Sequence, residues 1–265
     1  SLWPDELVLA ITQLDSIHPE LFKAILNCRE LGVTVTTMCS LYESLTGRVA
    51  VEHAGRDVQA ILPVARSSTH RFYLLMSRLF DIVIALHGCF ILLVLIPILW
   101  LINRFSSPGN LFYWQKRVGE GGEAFNIVKF RSMVMDAEKL TGAVWARKND
   151  DRITPVGHIL RKTRLDELPQ FWNVLRGDMS LIGPRPERPA IVDDLVKKIP
   201  FYSVRHASKP GITGWAQVQY QYGASIEDAL VKLRYDLYYI KHRGFYLDAL
   251  ILLKTVQVVL GMKGQ

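Results

Sequence analysis

Cysteine is scarce in this 265-residue chain: there are three, Cys28, Cys39 and Cys89, with no CxxC spacing. An odd, unpatterned set excludes a disulfide framework and a cysteine-rich zinc site, and it suits a reducing, cytosol-facing location. The seven histidines form no HExxH or paired cluster, which removes a histidine-based metalloenzyme. Gly119-Glu120-Gly121-Gly122 is not followed by GKS or GKT, so a Walker-type nucleotide hydrolase has no support. Gly 18 and Pro 12 are ordinary counts, and 49% hydrophobic with 22% charged residues excludes collagen-like and disordered classes. What the chain has in excess is positive charge, 32 Lys plus Arg against 25 Asp plus Glu. A net charge of +7 implies an anionic partner: a phosphate, a nucleotide, a nucleic acid or a lipid surface. No secretory signal is present, and SLWPDELVLAI opens as though inside a domain, so a fragment of a longer protein is expected.

The chain divides into unequal parts. Residues 1–54 read as strand, helix, strand. Leu7 to Ile11 is a short apolar run, Leu21, Ile25 and Cys28 make one helical stripe, Gly32 suits a helix C-terminus, and Val33 to Met38 is rich in Val and Thr. This is half of an α/β unit without a Gly-rich dinucleotide loop, so an accessory or dimerisation role is expected of it. Residues 55–78, with Pro63 and Ser67-Ser68-Thr69, read as a linker.

Residues 79–102 form the long apolar run, with Asp81 and His87 as its strongly polar members. The clean stretch after His87 is ~22 Å as a helix, short of a ~30 Å hydrocarbon core. Counted from Leu79 it is long enough to span, but Pro97 removes a helix hydrogen bond inside it and predicts a kink. Arg66, Arg71 and Arg78 precede the run and Arg104, Lys116 and Arg117 follow it. Basic residues on both flanks favour both ends on the cytoplasmic side, hence a re-entrant helix broken at Pro97, ahead of a tilted span or a buried core helix.

Residues 103–265 are densely charged and punctuated by Gly and Pro, as expected of a globular domain carrying the chemistry. Alternation around Gly119–Gly122 predicts a β hairpin whose second strand places Lys129 and Arg131 on one face, within reach of an anion. Leu230, Leu233, Leu237 and Ile240 predict a helix, and the apolar segment Leu247 to Leu260 reads as buried or surface-lying because of Lys254. Between Arg152 and Arg188, basic residues including Arg161, Lys162, Arg164 and Arg176 surround Asp166-Glu167. Arg185 is mounted between Pro184 and Pro186, which stiffen the backbone for recognition of phosphate oxygens. The plain reading of Asp166-Glu167 is helix capping ahead of Pro169. The chemical reading is a carboxylate that attacks phosphorus beside one that binds a divalent cation or handles a proton.

The stretch from KFRSM through TRLDELPQFWNVLRGDMSLIGPRPERP to KPGITGWAQV resembles the bacterial sugar transferase family, the monotopic polyprenyl-phosphate phosphoglycosyl transferases. The similarity covers about Arg71 to Gln265, and RELGVTV with LYESLTGRV looks like the end of the Rossmann-like accessory domain of the large members. The resemblance implies an α/β accessory fragment plus a mainly helical α+β catalytic domain with a re-entrant membrane helix, on the cytoplasmic face of the bacterial inner membrane. It implies transfer of a sugar 1-phosphate from a UDP-sugar, UDP-glucose or UDP-galactose favoured, to undecaprenyl phosphate with release of UMP. Asp166 matches the family's nucleophile, forming an aspartyl-phosphosugar, and Glu167 its Mg²⁺ ligand. Pro184, Arg185 and Pro186 match the element near the nucleotide, and Lys129, Arg131 and Arg164 are further substrate-binding candidates. Ser77-Arg78 and Ile96-Pro97 stand where many relatives carry Lys-Arg and Ser-Pro. The accessory domain makes a homodimer an expectation. A nucleic-acid partner is not expected, because the basic residues accompany a membrane segment and no recognised module appears. The competing reading is a catalytically silent membrane anchor or assembly subunit that binds nucleotide sugar.

Overall fold

The computed structural model describes residues 4–10, 18–53, 68–135, 137, 150–220, 223 and 225–261. The chain forms two compact units, Ser1–Leu62 and Pro63–Gln265. The end of the first apolar run at Ile11 and the linker residues 55–67 lie outside the described residues.

In the first unit, β1 (Glu6–Leu9) pairs in parallel with β2 (Thr34–Thr37), and α1 (Pro19–Glu30) crosses between them. Gly32 follows α1 at φ 83°, the left-handed geometry that a residue without Cβ adopts freely at a helix end. The second strand ends sooner than its Val-Thr pattern predicts. Thr37 caps α2 (Met38–Thr46), its hydroxyl accepting the Ser40 N–H.

The second unit is mainly helical. Helix α3 runs from Ser68 to Ser106, so Ser68–Arg78, expected to be linker, is its first segment, and Pro97 lies within it. The hairpin is as predicted: β3 (Phe112–Val118) pairs antiparallel with β4 (Ala124–Phe130) across a 3-10 turn at Glu120–Gly122. There follow α4 (Pro155–Lys162), α5 (Gln170–Arg176), β5 (Ser180–Ile182) and α6 (Pro189–Lys198). Strand β6 (Gly211–Thr213), parallel to β5, leads into α7 (Trp215–Gln219), α8 (Ile226–His242) and α9 (Phe245–Leu260). The predicted stripe of α8 faces inward, with Leu233, Leu237 and Ile240 buried. Lys254 of α9 donates to Gln219 Oε1 at 2.8 Å and sits 5.3 Å from the Trp215 ring centroid, which keeps its charge partnered on the protein.

One face of α3 is built into this unit along most of its length. Ala85 packs in a cluster with Ile127, Val174 and Met179, and Leu99 in another with Phe130 and Leu160. Near its start, Arg78 donates to the Val174 and Leu175 carbonyls at 2.7 and 3.0 Å, closing the carboxyl end of α5. Asp81 accepts from the Leu181 N–H at 2.9 Å and from Ser180 Oγ. Near its end, Asn103 is tied to Arg131 and Gly109 at 2.9 Å each. The opposite face exposes large apolar side chains, among them Phe80, Phe90, Leu93, Trp100 and Phe105. The helix is long and apolar enough to cross a membrane.

Helices α3 and α5 meet where Gly88 faces Phe171, and a Cβ on Gly88 would come within 2.3–2.7 Å of the phenyl carbons. Gly88→Val should therefore cost ~1–3 kcal/mol of stability through overpacking. Thermal unfolding in detergent checks this, and an unchanged midpoint would show that the crossing relaxes freely.

Candidate active site

Three local devices bring the carboxylates and their cations together. The first is Asn173, fully buried on α5. Its Oδ1 accepts the Val128 N–H at 3.1 Å and its Nδ2 donates to the Asn126 carbonyl at 2.8 Å, which stitches α5 to β4. Lys129 is thereby set against the segment preceding α5. The second is the start of α4, where the Thr154 hydroxyl accepts the Gly157 N–H at 2.9 Å. Gly157 lies so close to the Ser132 carbonyl that any Cβ would collide with it, and this approach lets Arg161 Nε donate to Ser132 Oγ at 2.8 Å. The third is Arg164, which adopts φ 60°, a left-handed conformation that is uncommon for a residue with a Cβ and reverses the chain just before the carboxylates.

Asp166 and Glu167 occupy a 3-10 turn, Leu165–Glu167, and both are buried. Neither is the N-cap of this turn or of α5, positions held by Arg164 and Pro169 without a side-chain cap bond. The capping reading is thus corrected. Two tertiary cations and one local one claim Glu167: its Oε1 accepts from Lys129 Nζ and from Arg185 Nη2, each at 2.8 Å, and its Oε2 lies 3.6 Å from Arg164 Nη1, three residues before it. Burial alone would raise the Glu167 carboxyl, but Arg185, Lys129 and Arg164 together hold it well below the usual range. Its neighbour behaves oppositely. Burial pushes Asp166 up to about 6, the adjacent Glu167 charge adds to the rise, and Lys129, Arg161 and Arg185 only partly offset it. One carboxylate is therefore locked as an ion-pair acceptor, while the other makes no short ion pair among the described residues.

Of the residues singled out from sequence, Lys129, Arg164 and Arg185 converge on Glu167. Pro184 and Pro186 flank Arg185 in a cleft lined also by Val118, Gly119 and His206. Arg131 is placed elsewhere: its guanidinium donates to Asn103 and to the Ser107 carbonyl at the end of α3. The alternation that puts Lys129 and Arg131 on one strand face does not reveal that β4 ends between them. Pro97 lies on α3 between Ile96 and Leu99, members of the apolar cluster that also takes in Leu165 and Leu168 on either side of the carboxylates. Asn173 and Arg161 carry no motif in the sequence, where Arg161 is one charge in a basic run. Asn173 has a usable signal, an amide in an otherwise apolar helix stripe, QFWNVL.

Among the described residues no group of three or more His, Cys, Asp or Glu could hold a metal ion. The donors still fit Mg²⁺ in its commonest mode, one or two carboxylates completed by substrate phosphates and water. Glu167 Oε2 and Asp166 have the capacity, since the short ion-pair bonds fall on Oε1.

The buried carboxylate pair is ringed by four cations, Lys129, Arg161, Arg164 and Arg185, on the unit that also contains the long apolar helix α3. A model of the bacterial sugar transferase family matches residues 72–262, and the chain belongs to that family. Over 96% of its length it is 39% identical to a UDP-N-acetylgalactosamine-undecaprenyl-phosphate N-acetylgalactosaminephosphotransferase of Aeromonas hydrophila, and it spans 59% of that relative. It is 40% identical to a UDP-glucose:undecaprenyl-phosphate glucose-1-phosphate transferase of Caulobacter vibrioides, over 70% of each chain. A UDP-galactose-lipid carrier transferase of Erwinia amylovora is 36% identical over 77% of this chain and 44% of the relative.

Proposed function

We propose that this protein transfers a sugar 1-phosphate from a UDP-sugar to undecaprenyl phosphate through a covalent intermediate on Asp166. The observation that carries the reading is the split fate of the two carboxylates: Glu167 is neutralised by Lys129 and Arg185, and Asp166 has no short ion pair among the described residues. In the first step an Asp166 oxygen attacks the sugar-bearing phosphorus, the bond from that phosphorus to the bridging oxygen breaks, and UMP leaves with the electron pair. In the second, a phosphate oxygen of undecaprenyl phosphate attacks the same phosphorus and the Asp166 carboxylate is regenerated. Separating the steps lets a water-soluble donor and a lipid acceptor use one site in turn. Lys129, Arg161, Arg164 and Arg185 outnumber the two carboxylates, so a pyrophosphate enters a site with charge to spare for the departing UMP. Mg²⁺, held by Glu167 and the substrate phosphates, would neutralise further charge there.

The break expected at Pro97 does not interrupt α3, which is one helix from Ser68 to Ser106; the re-entrant reading rests instead on where that helix is held. Arg78 and Asn103, 25 residues apart in one helix, both hydrogen-bond to the same globular unit. Those ends are ~37 Å apart along the helix; were it to cross the bilayer they would lie on opposite faces, and the unit bonded to both would have to enter the hydrocarbon. Both flanks on the cytoplasmic face leave Asp166 at the interface, within reach of a lipid phosphate.

Relatives whose names carry glucose, galactose and N-acetylgalactosamine widen the donor class beyond the two hexoses expected from sequence. The test is transfer from a panel of those three UDP-sugars into undecaprenyl phosphate in nanodiscs with Mg²⁺. Lipid-linked product from one donor is expected; none from any donor by folded protein favours the silent anchor. The pH profile follows from Asp166. Its ionised form is the nucleophile and its carboxyl is raised to about 6, so kcat/KM should rise with pH through that value. The rate at pH 5 is expected ~10-fold below the plateau. A flat profile between pH 5 and 7 would contradict this assignment.

A further inference from the structure

The segment that presents Arg185 has a problem set by its own sequence. Pro184 and Pro186 carry no N–H, so the chain there can be held through its carbonyls but hardly through its amides. All four carbonyls from Pro184 to Glu187 are taken. Pro184 O accepts the Gly211 N–H at 3.0 Å and Glu187 O the Val118 N–H at 2.9 Å. The two between them are held by side chains: Arg185 O accepts from Arg205 Nη2 at 2.9 Å, and Pro186 O from Arg117 Nη1 at 3.0 Å.

Arg205 is held rigidly for this task. Its Nε and Nη2 donate to Asp236 Oδ2 at 3.1 and 2.8 Å, and its Nη1 donates to the Tyr202 hydroxyl at 2.7 Å. Its side chain and that of Asp236 are 6% and 2% exposed. A buried ion pair gains little net stability over apolar residues of the same volume, so such a pair is better explained by what it fixes in place. Here the fixed object is the Arg185 carbonyl, on the residue whose guanidinium meets Glu167. Arg117 is braced in the same way, by Gln115 Oε1 at 2.7 Å and by Glu187 at 3.7 Å.

We infer that Arg205, backed by Asp236, and Arg117 are positioning residues that clamp the Pro184–Glu187 carbonyls and so hold Arg185 in register with Glu167 and the donor pyrophosphate. Among the described contacts neither reaches Asp166 or Glu167; they act through Arg185. The inference rests on the transfer reaction proposed above, and two readouts keep the two separate.

The test is Arg205→Lys in the full chain in nanodiscs. Lysine keeps the charge but cannot serve Asp236, Tyr202 and the Arg185 carbonyl at once. Alone it is expected to lower kcat/KM for the UDP-sugar by ~10-fold or more, with the KM for the lipid unchanged; in an Arg185→Ala background it should cost under ~2-fold, because the residue it positions is gone. Equal losses in both backgrounds would overturn the inference and leave Arg205 a merely structural residue. The second readout needs no activity: amide exchange at Val118 and Gly211, which donate into the same segment, should quicken in Arg205→Lys while α5 stays protected. Unchanged exchange there would also overturn it. If the wild type transfers no sugar, the transfer reaction fails by itself and exchange still decides the clamp. If Arg205→Lys does not fold, Arg117→Lys is put through the same two measurements with the same expected and contrary results.

Discussion

Asp166→Asn should abolish lipid-dependent UMP release, by at least ~10⁴-fold, because an amide oxygen cannot serve as the attacking carboxylate. The same substitution is expected to raise stability. An Asp carboxyl lifted from 3.8 to about 6 in the folded state binds its proton more tightly there than in the unfolded chain. Its contribution is therefore lost as pH rises through that window, and at pH 7 the ionised group costs ~2–3 kcal/mol that the neutral amide does not. The unfolding midpoint should climb by ~5 °C. Inactivity with a raised midpoint separates loss of the nucleophile from loss of the fold. A variant that keeps near-normal turnover would remove Asp166 from the chemistry altogether.

Arg185→Ala is expected to have the next largest effect. The guanidinium donates to Glu167 Oε1 and projects from the clamped loop beside the cleft, where it can also meet the donor's phosphates. Removing one preorganised cation from a developing charge commonly costs ~10²–10³ in rate. The loss should fall on kcat/KM for the UDP-sugar and spare the KM for undecaprenyl phosphate, which arrives after UMP has gone. Initial-rate measurements with each substrate varied in turn check this. Equal losses for both substrates would place Arg185 on the lipid side as well.

Much of this arrangement was legible before any coordinates. Alternation and the Gly-rich turn marked the hairpin, the apolar spacing of Leu233, Leu237 and Ile240 gave α8 its inner face, and the length of the apolar run marked α3. Those signals are local, repeated every two or every 3.6 residues, and they survive in the fold because burial enforces them. The candidate site was legible only as far as its motif. Asp166-Glu167 satisfies local capping preferences equally well, and what decides between readings is Lys129, 38 positions away in sequence, donating to Glu167. The same limit hid Arg205, Asp236 and Asn173, each of which acts across 20 or more residues of chain. Nothing in a linear pattern distinguishes an arginine that braces a carbonyl from one that faces water.

The most direct measurement is UMP release in a single turnover, with the UDP-sugar and Mg²⁺ but no undecaprenyl phosphate. A covalent intermediate on Asp166 requires a burst approaching one UMP per enzyme, with the phosphosugar found on the peptide that contains Asp166 and neither seen in Asp166→Asn. UMP released only when the lipid is also present, with no modified peptide, would mean direct attack by the lipid phosphate and would contradict the two-step transfer.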